Sequence, residues 1–531
     1  MTDIYMVLVV NMVKRPVMML IVFALIITVS FWQFLSRPSG FLPTEDQGYG
    51  ILFTRLPEGS SLPRNRELAA KVDAILKRVP GVATWVTIGG YSVLDGANSA
   101  NISSSFVNFK DWKVRGSALN QDVIIANMNR ELAGLQEAQA LFIIPPPIRG
   151  LGQTGGFQMM IEDRGGYLGL KEVEQATRAL IQAGNSQREL RNLITPFSMT
   201  SPQLYLDIDR AKAESLQVPM ANVFGALQDY IGSSFVNLFN KFNQVFQVYV
   251  QAESNYRMNP RDIKSLYVRN QTGGMVPLST LMNVERKEGS ELITRYNLYP
   301  AAPIFGSAAP GFSSGQALAQ MEHLAADTLP QSIAYDWTST SYQEKQVGYQ
   351  AYFIYALSIF LVYMVLAALY ESWTSPGAVI LVVPVAIVGV LLALMARGYD
   401  SNLYTQVGLI LMIALASKNA ILIVEFAREL HLGGSSIAEA AVEATRRRFR
   451  PIVMTSFAFI LGVVPLLVAF GAGSASQRAL GTVVFGGMIS STLLAIPFVP
   501  VFYVLLERLS ERIRKPKERN FETEEVRRKQ V

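Results

Sequence analysis

Cysteine is absent from the 531 residues, and histidine occurs only as His323 and His431. The first absence excludes disulfides and thiolate metal sites. The two histidines lie far apart in polar surroundings and read as solvated surface residues. The chain also lacks G-x-x-x-x-G-K-[ST], G-x-S-x-G, H-E-x-x-H and any cluster of histidine and carboxylate at ligand spacing. No cofactor or metal is therefore expected, and an energised process would draw on an ion gradient rather than ATP. Such a process needs titratable groups within the membrane. A further absence bears on this: the membrane-length segments contain no aspartate.

Those segments are what the chain has in quantity. Half the residues are hydrophobic and the mean hydropathy is +0.25. Segments 16–36, 350–370, 377–397, 403–427, 452–471 and 481–506 are each long and apolar enough to cross a bilayer as a helix. Residues 37–349 are mixed and polar, and long enough for more than one domain. Basic residues set the orientation. Lys14 and Arg15 precede the first segment, Arg428, Arg446, Arg447, Arg448 and Arg450 lie in an expected loop 428–451, and a basic tail occupies 508–531. These belong on the cytoplasmic side, which puts 37–349 outside, in the periplasm of a bacterium. The net charge of +6 is concentrated there, as a topology signal and a contact for membrane lipids, with no nucleic-acid partner implied. The first apolar segment is too long for a signal peptide and lacks an A-x-A site, so it reads as a retained anchor.

The outer region shows a repeated pattern. GYGILFTR at 49–56 reads as a strand, followed by a helix with Leu68, Val72, Ile75, Leu76 and Val79 on one face and a strand near 82–88. GFQMMIED at 156–163, a helix with Leu170, Val173, Leu180 and Ile181 on one face, and QLYLDID at 203–209 repeat it. Two tandem split βαβ units are expected, joined by a linker around PPP at 145–147 and GLGQTGG at 150–156, with a β-rich insert around 230–250. The Gly- and Ser-rich stretch 88–106 reads as a long loop of the kind that lines binding sites.

The chemistry points to Lys418, in the middle of an apolar run. At the bilayer centre a lysine costs about 2.5–3.5 kcal/mol, so it reads as functional and calls for a named partner. It lies too far from the span end to reach the interface, and no counter-charge is visible. Ser417, Asn419, Thr455 and Ser456 are placed to hydrogen-bond near it. Glu425, close to the helix end, reads as facing Arg428 or the interface. Gly481, Gly486 and Gly487 read as sites of close helix packing. Tyr91, Val93, Phe106, Phe157 and Met159 are candidates for an adaptable apolar surface, with a plain core role equally open.

The order of one anchor, a large outer region and five further spans is unusual. Together with FLPTEDQG (41–48), FKDW (109–112), YRMNPRDI (256–263), AAPGFSSG (308–315), YDWTSTSYQE (335–344), AALYESW (367–373), ASKNAILIVEFA (416–427), RRRFRPIVMTS (446–456) and GAGSASQRALGT (471–482), it resembles the C-terminal half of a resistance-nodulation-division (RND) transporter of the hydrophobe/amphiphile efflux type. The resemblance implies a six-span α-helical membrane bundle carrying a large α+β periplasmic region. Its parts would be a cytoplasmic segment 1–15, a transmembrane helix 16–36, ferredoxin-like porter subdomains at 45–155 and at 156–203 with 291–337, a docking insert at 204–290, and five transmembrane helices in 350–507. It further implies a trimeric, proton-coupled antiporter, not an enzyme, in the bacterial inner membrane, working with a periplasmic adaptor and an outer-membrane channel on amphiphilic drugs. Lys418, Thr455 and Arg448 match its proton relay. The loop 88–98 matches its switch loop, and Tyr91, Val93, Phe106, Phe157 and Met159 match drug-pocket positions. The N-terminal RND half, which carries the aspartates that pair with the lysine, is absent, so the chain alone is expected to be inactive. A related exporter of metal ions or lipids, or a proton-gradient-linked protein acting on periplasmic clients, are the alternatives.

Overall fold

The computed structural model describes residues 2–116, 118–166 and 168–511. The basic tail expected at 508–531 therefore lies, from residue 512, outside the described residues. The chain divides into two compact units, one formed by Met1–Pro196 with Thr294–Val531 and the other by Phe197–Ile293.

In the larger unit, β1 (Tyr49–Arg55), β2 (Val82–Ser92), β3 (Ala97–Phe109) and β4 (Gln139–Ile143) form an antiparallel sheet in the order β2-β3-β1-β4. Helices Leu62–Leu76 and Gln121–Leu132 interrupt the strands. Their apolar faces, with Leu68, Val72, Leu76, Ile124 and Met128, share a core with Leu52 and Val107 from the sheet. A second sheet begins with β5 (Phe157–Asp163) and β6 (Leu190–Ile194). The chain then enters the smaller unit, built from β7 (Ser201–Ile208), the hairpin β8 (Ser234–Lys241) and β9 (Gln244–Val250), the short pair β10 (Tyr267–Arg269) and β11 (Met275–Pro277), and β12 (Met282–Gly289), which pairs with β7. On returning, β13 (Thr294–Tyr296), β14 (Tyr299–Ala308) and β15 (Ile333–Thr338) complete the second sheet, in which β14 and β15 flank β5 and β6 joins β14. Setting aside the β7–β12 excursion and β13, both sheets follow strand–helix–strand–strand–helix–strand with the same neighbour relations.

The stretch 88–106, expected as a loop, is instead mostly the β2–β3 hairpin, turning over residues 93–96. Its many serines made it look like loop. They are accommodated in strand because the fold supplies partners: Ser103 Oγ donates to Asn65 Oδ1 at 2.5 Å, Ser104 Oγ to the Tyr91 carbonyl at 2.9 Å, and Asn65 Nδ2 to the Ile102 carbonyl at 2.8 Å. Buried hydroxyls with partners cost little, so a Ser-rich strand is stable.

Among the described residues, five helices are long and apolar enough to cross a membrane: Pro16–Phe34, Tyr352–Tyr370, Ser375–Arg397, Leu403–Leu432 and Ile437–Leu467. A bent pair, Ser474–Leu494 with Ile496–Glu511, makes a sixth if it counts as one span. The expected loop 428–451 contracts to residues 433–436, and Arg446, Arg447, Arg448 and Arg450 belong to the helix Ile437–Leu467. The physical reason is that hydropathy marks the membrane and not the helix end. Ser436 caps this helix by accepting from Glu439 N, and the good helix formers of AEAAVEATRRR carry it on into the apolar part.

Helices Val383–Arg397 and Ser474–Ser490 meet at Gly389 and Gly486. A Cβ on Gly389 would collide with the Gly486 carbonyl, and one on Gly486 with Ala393. Such backbone contact needs glycine on both sides. Gly486→Leu should therefore destabilise the helix bundle by about 2–3 kcal/mol, read as a lowered unfolding temperature in detergent. Gly462→Leu, where a Cβ meets nothing within 4 Å among the described residues, should leave it unchanged.

Candidate functional site

The helix Leu403–Leu432 is capped by Asn402, whose side chain accepts from Thr405 N at 3.0 Å. Its buried face runs through Gly408, Met412, Ala416, Asn419, Ile423 and Ala427. The opposite face exposes Val407, Leu411, Lys418 and Glu425, a stripe at helical spacing. Lys418 has neither a hydrogen bond nor an ion pair among the described residues. Next to it, Asn419 Nδ2 donates to Ser456 Oγ at 3.4 Å in a buried contact that pins this helix to Ile437–Leu467. Lys418 and Thr455 each precede a member of that pair, and both are exposed. The Thr455 hydroxyl donates back to the Ile452 carbonyl at 3.1 Å.

Arg448 is half-buried, its guanidinium 4.7 Å from the Phe426 ring centroid, and its Nε is buried without a hydrogen-bond partner among the described residues. The aromatic face supplies part of the stabilisation that a counter-ion would give. Arg428 does not pair with Glu425. It donates to the Tyr370 carbonyl at 2.6 Å, tying the Lys418 helix to the end of helix Ser339–Tyr370.

The five apolar candidates separate into two places. Tyr91, Val93 and Phe106 gather around Ile51, Phe53, Leu94 and Phe305, which joins residues of both sheets. Phe157 and Met159 lie in the core of the second sheet with Leu180 and Trp337, Phe157 standing edge-on to Trp337 with centroids 6.0 Å apart. The reason is strand alternation. Phe157, Met159 and Ile161 share one face of β5, towards helices Leu170–Asn185 and Ser314–Thr328, whereas Gln158 faces the other way. That other face borders a cavity of about 460 Å³ lined by Leu94, Gly150, Leu151, Gly152, Gln153, Gln158, Tyr296, Thr338, Ser339, Tyr342 and Gln343. None of these residues is charged. Leu94 belongs both to this lining and to the Tyr91 cluster. Sequence reasoning missed the cavity, and the one available signal was Gln158, a polar residue alternating with apolar ones in a strand.

Just before the apolar part of helix Ser339–Tyr370, burial pushes the Glu344 carboxyl up to about 7, reinforced by the nearby Asp400 carboxylate. The Ser314 hydroxyl opposes this by donating to Glu344 at 2.8 Å. The Lys345 ammonium opposes it weakly, being held 2.7 Å from Glu322. Asp400 is itself raised by burial, partly offset by a 3.2 Å hydrogen bond from Asn402. Between the ordinary carboxylate range and pH 7, the folded protein holds a proton at Glu344 that the unfolded chain has lost. Stability thus falls as pH rises through that window, and the penalty is complete above it. Glu344→Gln keeps an acceptor for Ser314 and removes the penalty. The variant should be more stable than the parent by about 3 kcal/mol near pH 8 and nearly equal to it near pH 4.5, as read by thermal unfolding at the two values.

A sequence model of the AcrB/AcrD/AcrF family matches residues 1–507. The chain belongs to that family. Among its relatives, the toluene efflux pump membrane transporter TtgB of Pseudomonas putida is 40% identical over 502 residues, 94% of this chain and 47% of the relative. The multidrug export protein AcrF of Escherichia coli (strain K12) is 41% identical over 497 residues, 92% and 47%. The multidrug resistance protein MdtF of the same Escherichia coli strain is 40% identical over 489 residues, 91% and 47%. The chain is thus an RND-family sequence whose relatives are multidrug and solvent efflux transporters, and it spans about half the length of the curated relatives it matches. In this RND chain the helices that carry Lys418, Thr455 and Arg448 pack on each other, while the stripe that displays Lys418 is left uncovered.

Proposed function

We propose that the chain is the C-terminal half of an inner-membrane proton/drug antiporter and that it is inactive without a complementary half. The observation that carries this reading is the uncovered stripe of Val407, Leu411, Lys418 and Glu425. A lysine facing lipid at this depth, with no partner among the described residues, is too costly to keep. A helix bearing carboxylates would cover the stripe and neutralise it. Protonation of those carboxylates would weaken their hold on Lys418 and shift the packing between two arrangements. Thr455 and Arg448 complete the relay, Thr455 by its hydroxyl on the same exposed side and Arg448 by the donor left over on its Nε.

In this reading the bent pair counts as one span, giving six, with the arginines at 446–450 on the cytoplasmic side. The two sheets with their helices are the porter subdomains, 204–290 is the docking insert, and the working assembly is a trimer joined by an adaptor and an outer-membrane channel. The substrates are amphiphilic. The Tyr91, Val93 and Phe106 cluster offers an apolar contact, and the adjoining cavity offers tyrosine and serine hydroxyls and glutamine amides without charge. Phe157 and Met159, at pocket positions by family analogy, support the pocket from within the second sheet's core. Metal export is disfavoured because the cavity lining holds neither carboxylate nor thioether ligands.

The test is efflux of a lipophilic cation from cells without their own exporters. Co-expression with a matching first half should lower drug accumulation, and a protonophore should restore it. Equal accumulation with the pair and with empty vector would overturn the reading.

A further inference from the structure

Residues 38–46, which follow the first apolar helix, form a strap bonded on both sides. Towards the membrane helices, Ser401 N donates to the Pro38 carbonyl at 3.0 Å, Gly40 N to the Ser401 carbonyl at 3.1 Å and Leu403 N to the Phe41 carbonyl at 2.8 Å. Leu403 is the first residue of the Lys418 helix. Further along, the Glu45 carboxylate, 8% exposed, accepts from Ala475 N at 3.0 Å and Ser476 N at 2.7 Å, and also from the Ser476 hydroxyl. These donors open the helix Ser474–Ser490, where a carboxylate satisfies free N–H groups and meets the positive end of the dipole.

On its other side the strap holds the outer region. Gly315 N donates to the Ser39 carbonyl at 3.1 Å, and Phe41 N donates to Ser314 Oγ, also at 3.1 Å, at the start of helix Ser314–Thr328. Asp46 is paired to Arg115 beyond β3. Pro38 and Pro43 fix φ at two places along this short segment, and a Cβ on Gly40 would collide with the Asp400 carboxylate, so the strap is stiff and closely seated.

We propose that the strap is a mechanical link between the membrane helices and the outer region, with Glu45 and Ser314 as the positioning residues that hold it on its two sides. A shift of the Lys418 helix pulls on Pro38, Gly40 and Phe41, and a shift of Ser474–Ser490 pulls on Glu45. The stiff segment delivers both displacements to the helix Ser314–Thr328. This rests on the transporter reading for what the displacement drives. The bond geometry itself does not depend on transport.

Coupling through one element must be reciprocal. The experiment is hydrogen exchange by mass spectrometry on the full chain in lipid nanodiscs, comparing the parent with Glu45→Gln and Ser314→Ala. Glu45→Gln should speed exchange about tenfold at residues 474–478 and also at 312–318, and Ser314→Ala should speed it in both places to a similar degree. Glu45→Asp, which keeps the charge one methylene shorter, should recover part of the protection on both sides. If each variant frees only its own side, Glu45 is a helix cap and Ser314 a local contact, and the proposal falls. Should one variant fail to fold, the other still gives both readings. Because exchange is measured without substrate, a chain that never exports drug with any partner half would sink the transporter reading while leaving this result standing.

Discussion

Lys418→Met should abolish drug export by the chain paired with its complementary half, raising accumulation to that of cells without a pump. Methionine matches the lysine in length and is apolar, so the substitution removes charge with little change in packing volume. Stability argues that the loss would be specific. An ammonium at mid-membrane costs about 2.5–3.5 kcal/mol, and the chain supplies no described counter-ion to offset it. The methionine variant should therefore be inserted at least as well as the parent, and equal membrane abundance is the control. Lys418→Arg should also fail to restore full activity, because in the proposed relay a planar fork would not replace a compact ammonium shared between carboxylates of the complementary half. Thr455→Ala should have a smaller effect, since its hydroxyl already donates to the Ile452 carbonyl.

The second large effect belongs to the outer region. Arg115 has a side chain only 1% exposed, held by Asp46 at 2.9 Å and 3.1 Å and by the Lys110 carbonyl at 2.7 Å. It lies between the rings of Phe109 and Trp112, 5.5 Å and 5.7 Å from their centroids. Removing one member of a buried pair leaves the other uncompensated, which costs about 3–5 kcal/mol. Asp46→Ala should therefore lower the unfolding temperature of the full chain sharply and open residues 109–116 to protease. Replacing both partners, as Asp46→Ala with Arg115→Met, should recover much of that loss, because no charge is then stranded. A double variant no more stable than Asp46→Ala alone would show that Asp46 acts through something other than Arg115.

The sequence revealed some of this architecture through periodicity and some of it not at all. Lys418 was legible because a lone charge stands out in an apolar run, and helices such as Leu62–Leu76 because their apolar spacing matches one face. The β2–β3 hairpin was hidden: its serines look like loop until Asn65 and the Tyr91 carbonyl are known to meet them. Phe157 and Met159 read in sequence as candidates for the same apolar surface as Tyr91 and Val93, but the two-residue period of β5 turns them to the helices. Nothing in the local pattern could place Glu45 at the start of Ser474–Ser490, a contact across 430 residues. Long-range polar contacts leave no periodic trace, and several of them tie the membrane helices to the outer region beside the continuous helix Ser339–Tyr370.

Drug-stimulated proton flux is the measurement that reaches the central claim most directly. Proteoliposomes containing the chain and its complementary half, loaded with a pH-sensitive dye, would be given a pH gradient and then a lipophilic cation. The account predicts proton movement that begins with the drug, runs opposite to it, and disappears in Lys418→Met and in vesicles holding the chain alone. Flux of equal size in Lys418→Met, or drug transport with no accompanying proton movement, would contradict it.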